Sequence, residues 1–234
     1  MTGLIEAVDL TLRFGGIVAV RGLHFAVREG ELVGLIGPNG SGKTTTINML
    51  TGHLSPGSGH IMLRGARVDG MSADRFAARG VGRTFQVTQL FSRMSVLENM
   101  LVPGLARPHS TPVAARRQAR LHLEFLGLAA LEDLPARSLS GGQQKLLELG
   151  RALMLEPSIL FLDEPFAGVN PYLRDEIIRL VQALHAEGRT FVIVDHDLEA
   201  IQRLVVMSRG EKIADGTVDA VREDAEVIRA YSGV

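Results

Sequence analysis

Three short runs carry residues whose types and spacing could do chemistry. Gly37-Pro38-Asn39-Gly40-Ser41-Gly42-Lys43-Thr44 fits the pattern G-x-x-x-x-G-K-[ST]. In that pattern the glycines let backbone N–H groups converge on phosphate oxygens, where a Cβ would intrude. A helix starting at Lys43 adds its positive end. The lysine ammonium then reaches the β- and γ-phosphates of a nucleotide, and the Thr44 hydroxyl can ligate Mg²⁺. The second run, Ile159-Leu160-Phe161-Leu162-Asp163-Glu164, is four apolar residues ending in two carboxylates. A buried parallel strand of this kind delivers its last residues to the sheet edge where ligands bind. Asp163 would support the Mg²⁺ shell, and Glu164 would orient or deprotonate an attacking water. The third run, Leu139-Ser140-Gly141-Gly142-Gln143, places two glycines behind a capping serine. A cap needs no Gly-Gly, which costs about 1 kcal/mol per residue in helix propensity. The run therefore reads as a second anion-binding helix end, without the lysine of the first. Two phosphate-facing helix ends in one chain suggest that two copies share each nucleotide.

Strands and helices must hold these runs in place. Val8, Leu10, Leu12 and Phe14 alternate with Asp9, Thr11 and Arg13, as in a half-buried strand. Gly15-Gly16 turns the chain, and residues 17–20 and 23–27 read as further strands. Residues 31–36 form an apolar run entering the glycine loop, so the order there is strand, loop, helix. Residues 60–63 read as a strand, and Ser72 as the cap of a short helix over 73–79. Pro103, Pro108 and Pro112 break the middle of the chain before a helix over 113–126, where Leu121, Phe125 and Leu128 share a face. Arg116, Arg117 and Arg120 read as its solvated side. Ser140 precedes a helix that Pro157 ends, and residues 159–162 and 191–194 are fully apolar strands. Asn170-Pro171 starts a helix that Gly188 closes. Residues 204–207 and 212–214 form a hairpin around Arg209-Gly210. Strands alternating with helices mean α/β. The whole of 1–234 reads as one domain: a core from 1–71 and 158–234, and a mostly helical insert over 72–157 that carries Gln86 and the Ser140 run.

Composition narrows the function classes. Of 234 residues 46% are hydrophobic and 22% charged, close to soluble globular averages. Twenty-five Lys and Arg nearly cancel 26 Asp and Glu, which argues against affinity from a strong basic field and hence against nucleic acid as a partner. The absence of Cys removes disulfides, thiolate metal sites and cysteine nucleophiles together. The first residues carry Glu6 and Asp9 and lack the basic start of a signal peptide. No stretch approaches ~20 uninterrupted apolar residues, so any membrane role is expected to come through a partner.

The ordered motifs resemble those of the nucleotide-binding subunits of ABC transporters, over essentially the whole chain. Residues 37–44 match the Walker A motif, Gln86 the Q-loop, residues 139–143 the LSGGQ signature, Asp163 and Glu164 the Walker B pair, and His196 the switch histidine. The resemblance implies a P-loop NTPase (RecA-like) core with an N-terminal antiparallel β subdomain and an inserted α-helical subdomain. It implies ATP and Mg²⁺ as cofactors, with Thr44, Gln86 and Asp163 at the metal. Nucleotide contacts would come from Phe14, residues 37–44, Thr45, Gln86, Ser140, Gly141, Gly142 and Gln143. Lys43, Glu164 and His196 would be catalytic, His196 holding the γ-phosphate and the water beside Glu164. Two subunits would pair head to tail, the Ser140 helix of one closing on the ATP held by Lys43 of the other. Gln86 would also sense a transmembrane permease, and the chain would lie at the cytoplasmic face of the cell membrane. Phe14 would stack on the adenine, a role competing with a place in the core because it shares the apolar parity of its strand. The other six histidines show no metal-ligand spacing.

Within the family, Arg83-Thr84-Phe85-Gln86, Leu90-Phe91, residues 94–99, 166–171 and 227–231 are similar to the ATPases of branched-chain amino-acid uptake. Urea or amide importers and the lipopolysaccharide-export ATPase share some of these features. A soluble ABC ATPase acting on a scaffold, as in iron–sulfur cluster assembly, would carry the same ATP motifs. DNA-repair relatives need long coiled-coil insertions, and translation-factor relatives need two such domains; neither is present. Asn170 stands where many relatives have Asp, and the path after His196 is about four residues shorter than usual, close to one helical turn.

Overall fold

The computed structural model describes residues 3–195 and 201–232. In chain order its strands are β1 (Ile5–Phe14), β2 (Ile17–Val27), β3 (Leu32–Ile36), β4 (Ser58–Leu63), β5 (Ala66–Arg67), β6 (Val81–Arg83), β7 (Ile159–Asp163), β8 (Thr190–Val194), β9 (Arg203–Ser208) and β10 (Glu211–Thr217). The helices are α1 (Lys43–Leu50), α2 (Ala73–Ala77), α3 (Val96–Ala106), α4 (Pro112–Phe125), α5 (Gly141–Leu153), α6 (Pro171–Ala186), α7 (Val218–Arg222) and α8 (Ala225–Ser232). An antiparallel sheet runs β2-β1-β4-β5, and a second sheet runs β10-β9-β3-β8-β7-β6. In the second, β9, β3, β8, β7 and β6 are parallel and β10 pairs antiparallel at the edge.

Every residue of β3, β7 and β8 is buried, as expected for parallel strands covered on both faces. Alternation divides their side chains between two cores. Val33, Leu35, Ile159, Phe161, Val192 and Val194 face the antiparallel sheet and α1, packing with Ile5, Phe25 and Ile47. Leu32, Leu160, Leu162, Phe191 and Ile193 face the helical block, with Met100, Leu123, Leu147 and Leu180. Because the parallel strands run together, the ends of β3, β7 and β8 emerge along one edge.

The expected elements form with four differences. Residues 17–27 make one continuous strand, with Gly22 at φ 55 inside it. In β1 a bulge at Asp9 (φ 52) shifts the buried parity from Ile5 and Ala7 to Leu10, leaving Val8 half-buried, and after further register shifts up to Arg13 Phe14 ends the strand 51% exposed. The stretch 72–157 is not all helical insert: β6 pairs in parallel with β7 and α2 buries Phe76 in the first core. Finally, α3 spans the region that prolines were expected to break. A capping box starts it: Ser95 Oγ accepts from the Glu98 N–H (3.1 Å) and Glu98 Oε2 from the Ser95 N–H (2.7 Å). Pro103 is accommodated inside it.

Candidate active site

The glycine loop joins β3 to α1. Gly42 is the helix N-cap at φ 103 with no side-chain cap, so the first N–H groups of α1 are left for another acceptor. Thr44 is exposed on this first turn and Thr45 half-buried beside it. The glycines have two distinct reasons. A Cβ on Gly37 (φ 148) would stand 2.1 Å from the Met207 carbonyl oxygen, and one on Gly42 would stand 2.5 Å from that of Ala19. These two are demanded by protein backbone behind the loop, where phosphate approach had been the expected cause. Gly40 (φ 77) meets nothing within 4 Å and faces outward, so its need is conformational. Lys43 curls over the loop, its Nζ donating to the Gly37 and Pro38 carbonyls at 2.8 and 2.9 Å. Ser41 Oγ is buried without a hydrogen-bond partner among the described residues.

The end of β7 supplies the carboxylates. Asp163 is 2% exposed, and its Oδ2 accepts from Arg83 Nη2 at 3.2 Å while Oδ1 has no hydrogen-bond partner among the described residues. Arg83, at the end of β6, also donates to Asn48 and Thr51 of the α1 end and lies over the Phe85 ring at 4.7 Å. Burial outweighs the pairing on both partners, pushing the Asp163 carboxyl up and the Arg83 guanidinium down. Glu164 takes a left-handed backbone (φ 49), its N–H donating to the Val194 carbonyl at 2.8 Å. Its Oε2 accepts from Gln86 Nε2 at 3.0 Å. The Lys43 ammonium is pushed down by burial, against the opposing pull of Glu164 and Asp163, so the loop lysine and both carboxylates share one electrostatic site.

The third run sits apart, at the start of α5. Ser140 Oγ accepts from the Gln143 N–H (3.3 Å), and Gln143 Oε1 from the Ser140 N–H (3.0 Å), a complete capping box. A Cβ on Gly142 would lie 1.7 Å from Leu173 Cδ2, so the second glycine lets α6 pack closely. Gly141 meets nothing within 4 Å and is exposed, and no packing demand accounts for it. Asn170 caps α6 by accepting from the Leu173 N–H at 2.9 Å, a task Asp performs equally. Phe14 is no core residue: it stands exposed at the end of β1. His196 lies outside the described residues; its neighbour Asp195 accepts from the Phe166 N–H at 3.2 Å. Arg116 and Arg117 are solvent-exposed, and Arg120 pairs with Glu132 at 3.0 Å.

Sequence reasoning gave no part in the site to two polar residues bonded around it: Arg83, quoted only for its family likeness, and Glu148. The signal for Arg83 was a charge closing a strand; that for Glu148 was a carboxylate inside a leucine-rich helix face.

The ABC transporter family model matches residues 20–167. The chain belongs to that family. The cassette is 38% identical over 98% of its length, and 98% of the relative's, to the high-affinity branched-chain amino acid transport ATP-binding protein BraF of Pseudomonas aeruginosa. It is 37% identical, with the same coverage of both chains, to LivG of Escherichia coli, which carries the same description. Among solved structures it superposes with a TM-score of 0.89, at 35% identity and over 100% of both chains, on the ADP conformation of an ATP-binding cassette of an ABC transporter. A dimeric bacterial ABC transporter cassette aligns at TM-score 0.83 and 26% identity, over 92% of this chain and 98% of that one.

Proposed function

We propose that this chain is the ATP-hydrolysing subunit of an importer of branched-chain amino acids, working as a pair of cassettes docked on membrane permeases. The observation that carries the ATPase chemistry is the convergence of Lys43, Asp163, Glu164 and Gln86 at the strand-end edge of the parallel sheet. The solute class comes from full-length likeness to BraF and LivG.

Lys43 leaves its loop carbonyls for the β- and γ-phosphates, and the uncapped α1 N–H groups take the phosphate oxygens. Glu164 Oε accepts a proton from water as that water attacks the γ-phosphorus, and the β–γ bridging oxygen leaves with ADP. Gln86, already bonded to Glu164, orients this carboxylate, and His196 is assigned to the γ-phosphate. The site fits Mg²⁺: Asp163 Oδ1 is a buried oxygen with no hydrogen-bond partner among the described residues, and Thr44 is exposed on the first turn after the glycine loop. Thr44, Gln86 and Asp163 would hold it, and the ion would neutralise charge developing on the transferred phosphoryl group. Phe14 offers an open ring face for the adenine. Gly141, exposed and free of packing demands, supports closure of the Ser140 helix end on the ATP of a second cassette.

Among the described residues no helix is long and apolar enough to cross a membrane. Membrane attachment at the cytoplasmic face is assigned to permeases, received beside Gln86, where Val87 and Phe91 are 71% and 46% exposed. Purification of the tagged chain from gently solubilised native membranes, with mass spectrometry of its partners, tests this reading. Two polytopic permeases and leucine uptake lost on deletion are expected; a soluble scaffold with no membrane protein above background overturns the transport role.

A further inference from the structure

One side of α5 carries a polar stripe: Glu148 and Arg151 bond the segment that follows β6, and Lys145 the residue that follows β7. The spacing i, i+3, i+6 keeps the three on one side of the helix. Glu148 is buried, and its Oε1 accepts the backbone N–H of Phe85 at 3.2 Å and of Gln89 at 3.4 Å. The Arg151 guanidinium donates to the Gln89 carbonyl and lies 5.0 Å over the Phe91 ring. Lys145 Nζ donates to the Glu164 carbonyl at 3.0 Å. Gln86 therefore sits between the two residues that Glu148 holds, with its own amide on Glu164.

We propose that Glu148, assisted by Arg151, is a positioning residue that grips the chain on both sides of Gln86 and so fixes that amide against Glu164. The inference rests on the roles given above to Gln86 and Glu164. Leu146, Leu147 and Leu149 around it are buried apolar residues, so packing alone would favour a leucine at 148. A buried carboxylate there is costly unless its oxygens are bonded, and the bonds it makes are to loop backbone only. Leu149, Leu162, Pro165 and Ile177 wall the small pocket that Glu148 lines, and in such low-dielectric surroundings charge-assisted N–H bonds are strengthened. Burial pushes the carboxyl up while the two N–H groups pull it down. Eight residues separate Ser140 from Glu148, about 12 Å along a rigid helix. A shift of the α5 start on a second cassette's nucleotide would thus be carried directly to Gln86.

The test uses the full chain with MgATP, comparing Glu148→Leu, Glu148→Gln, Gln86→Ala and the Gln86→Ala/Glu148→Leu pair by steady-state kinetics and by amide hydrogen exchange. Glu148→Leu should speed exchange in residues 85–91 about tenfold or more and leave 37–44 unchanged. Its kcat should fall about tenfold with KM for MgATP nearly constant, as for other residues that orient a reacting group from behind. Glu148→Gln keeps an acceptor and should recover most of both. Added to Gln86→Ala, Glu148→Leu should cost no further kcat, because the two act as a unit. Unchanged exchange in 85–91, a kcat loss that adds fully to that of Gln86→Ala, or a Gln variant as impaired as Leu would each overturn the proposal. Native turnover in Gln86→Ala would instead remove the role given to Gln86, and exchange at 85–91 would still decide whether Glu148 holds the loop. If Glu148→Leu does not fold, Arg151→Met, which loses the Gln89 carbonyl and the Phe91 stack, supplies the same comparison.

Discussion

Arg83 donates to Asp163 Oδ2 across 3.2 Å, with side chains only 7% and 2% exposed. The ion pair bridges β6 to β7 and, through Asn48 and Thr51, both strands to the far end of α1. The glycine loop at one end of α1 and the carboxylate at the end of β7 are thereby held in one frame.

Arg83→Met leaves Asp163 buried without its countercharge, which typically costs about 3–5 kcal/mol. Urea unfolding should show that loss in the absence of nucleotide. Because Asp163 is assigned to the metal shell, MgATP should stabilise Arg83→Met more than it stabilises the native chain, and ATP with a chelator should not. Equal Mg²⁺ increments in both chains would remove Asp163 from the metal.

Two glycines of the phosphate loop, Gly37 and Gly40, should respond unequally to alanine. Gly37→Ala drives a Cβ against the Met207 carbonyl at 2.1 Å, a backbone contact with no flexible side chain to give way. It should lower the melting temperature sharply and abolish ATP binding together. Gly40→Ala meets open space and pays only for its φ of 77, about 1–2 kcal/mol. Thermal melts of both variants, with and without ATP, check the contrast; equal losses would contradict it.

What the sequence disclosed follows from what pattern encodes. The apolar runs of β7 and β8 and the caps Asn170 and Ser140 are local signals, and each forms as read. Features set by tertiary contact were hidden. Nothing local says that Gly142 makes room for Leu173 or Gly37 for Met207. In α4 the buried face is Ala115, Ala119 and Leu123, whereas Leu121 is 56% exposed. Small alanines, which allow close helix packing, carry little hydrophobic signal beside a leucine. β6 has three residues and a terminal arginine, too short and too polar to register as a strand until β7 lies beside it. The Ser95–Glu98 box was a readable helix start, and the weight given to Pro103 concealed it. Of the candidate site, the members of local motifs, Lys43, Asp163 and Glu164, could be singled out from sequence, whereas Arg83 and Glu148 bond partners distant in sequence.

Glu164→Gln keeps the Gln86 contact possible but removes the proton acceptor. MgATP should bind normally and trap a closed dimer on size exclusion, while hydrolysis falls by about 10²–10⁴, the range for loss of a general base. Near-native turnover would exclude Glu164 as the base.

Ser140→Arg separates dimer closure from nucleotide binding. The capping box is lost, costing about 1 kcal/mol of stability, and the bulky cation fills the α5 start. Equilibrium ATP binding to the monomer should be unchanged and the ATP-dependent dimer absent. If monomer binding is lost as well, the shared-site arrangement fails.

His122 carries a distinct prediction for acid stability. Burial pushes its imidazole below the ordinary 6.5, Arg189 adds to the shift, and Nε2 has no hydrogen-bond partner among the described residues. A base depressed in the folded chain is protonated first in the unfolded one, so the unfolded state binds more protons below about pH 6.5. Stability is then complete above that pH and declines as pH falls toward the folded value. His122→Met removes this titration and should flatten the acid limb, leaving stability near pH 7.5 little changed. His53, also depressed by burial and by Arg83, keeps its own share in the variant. Urea unfolding at about pH 7.5 and 5.5 measures the difference, and an acid slope identical to the native one would show that His122 is not its source.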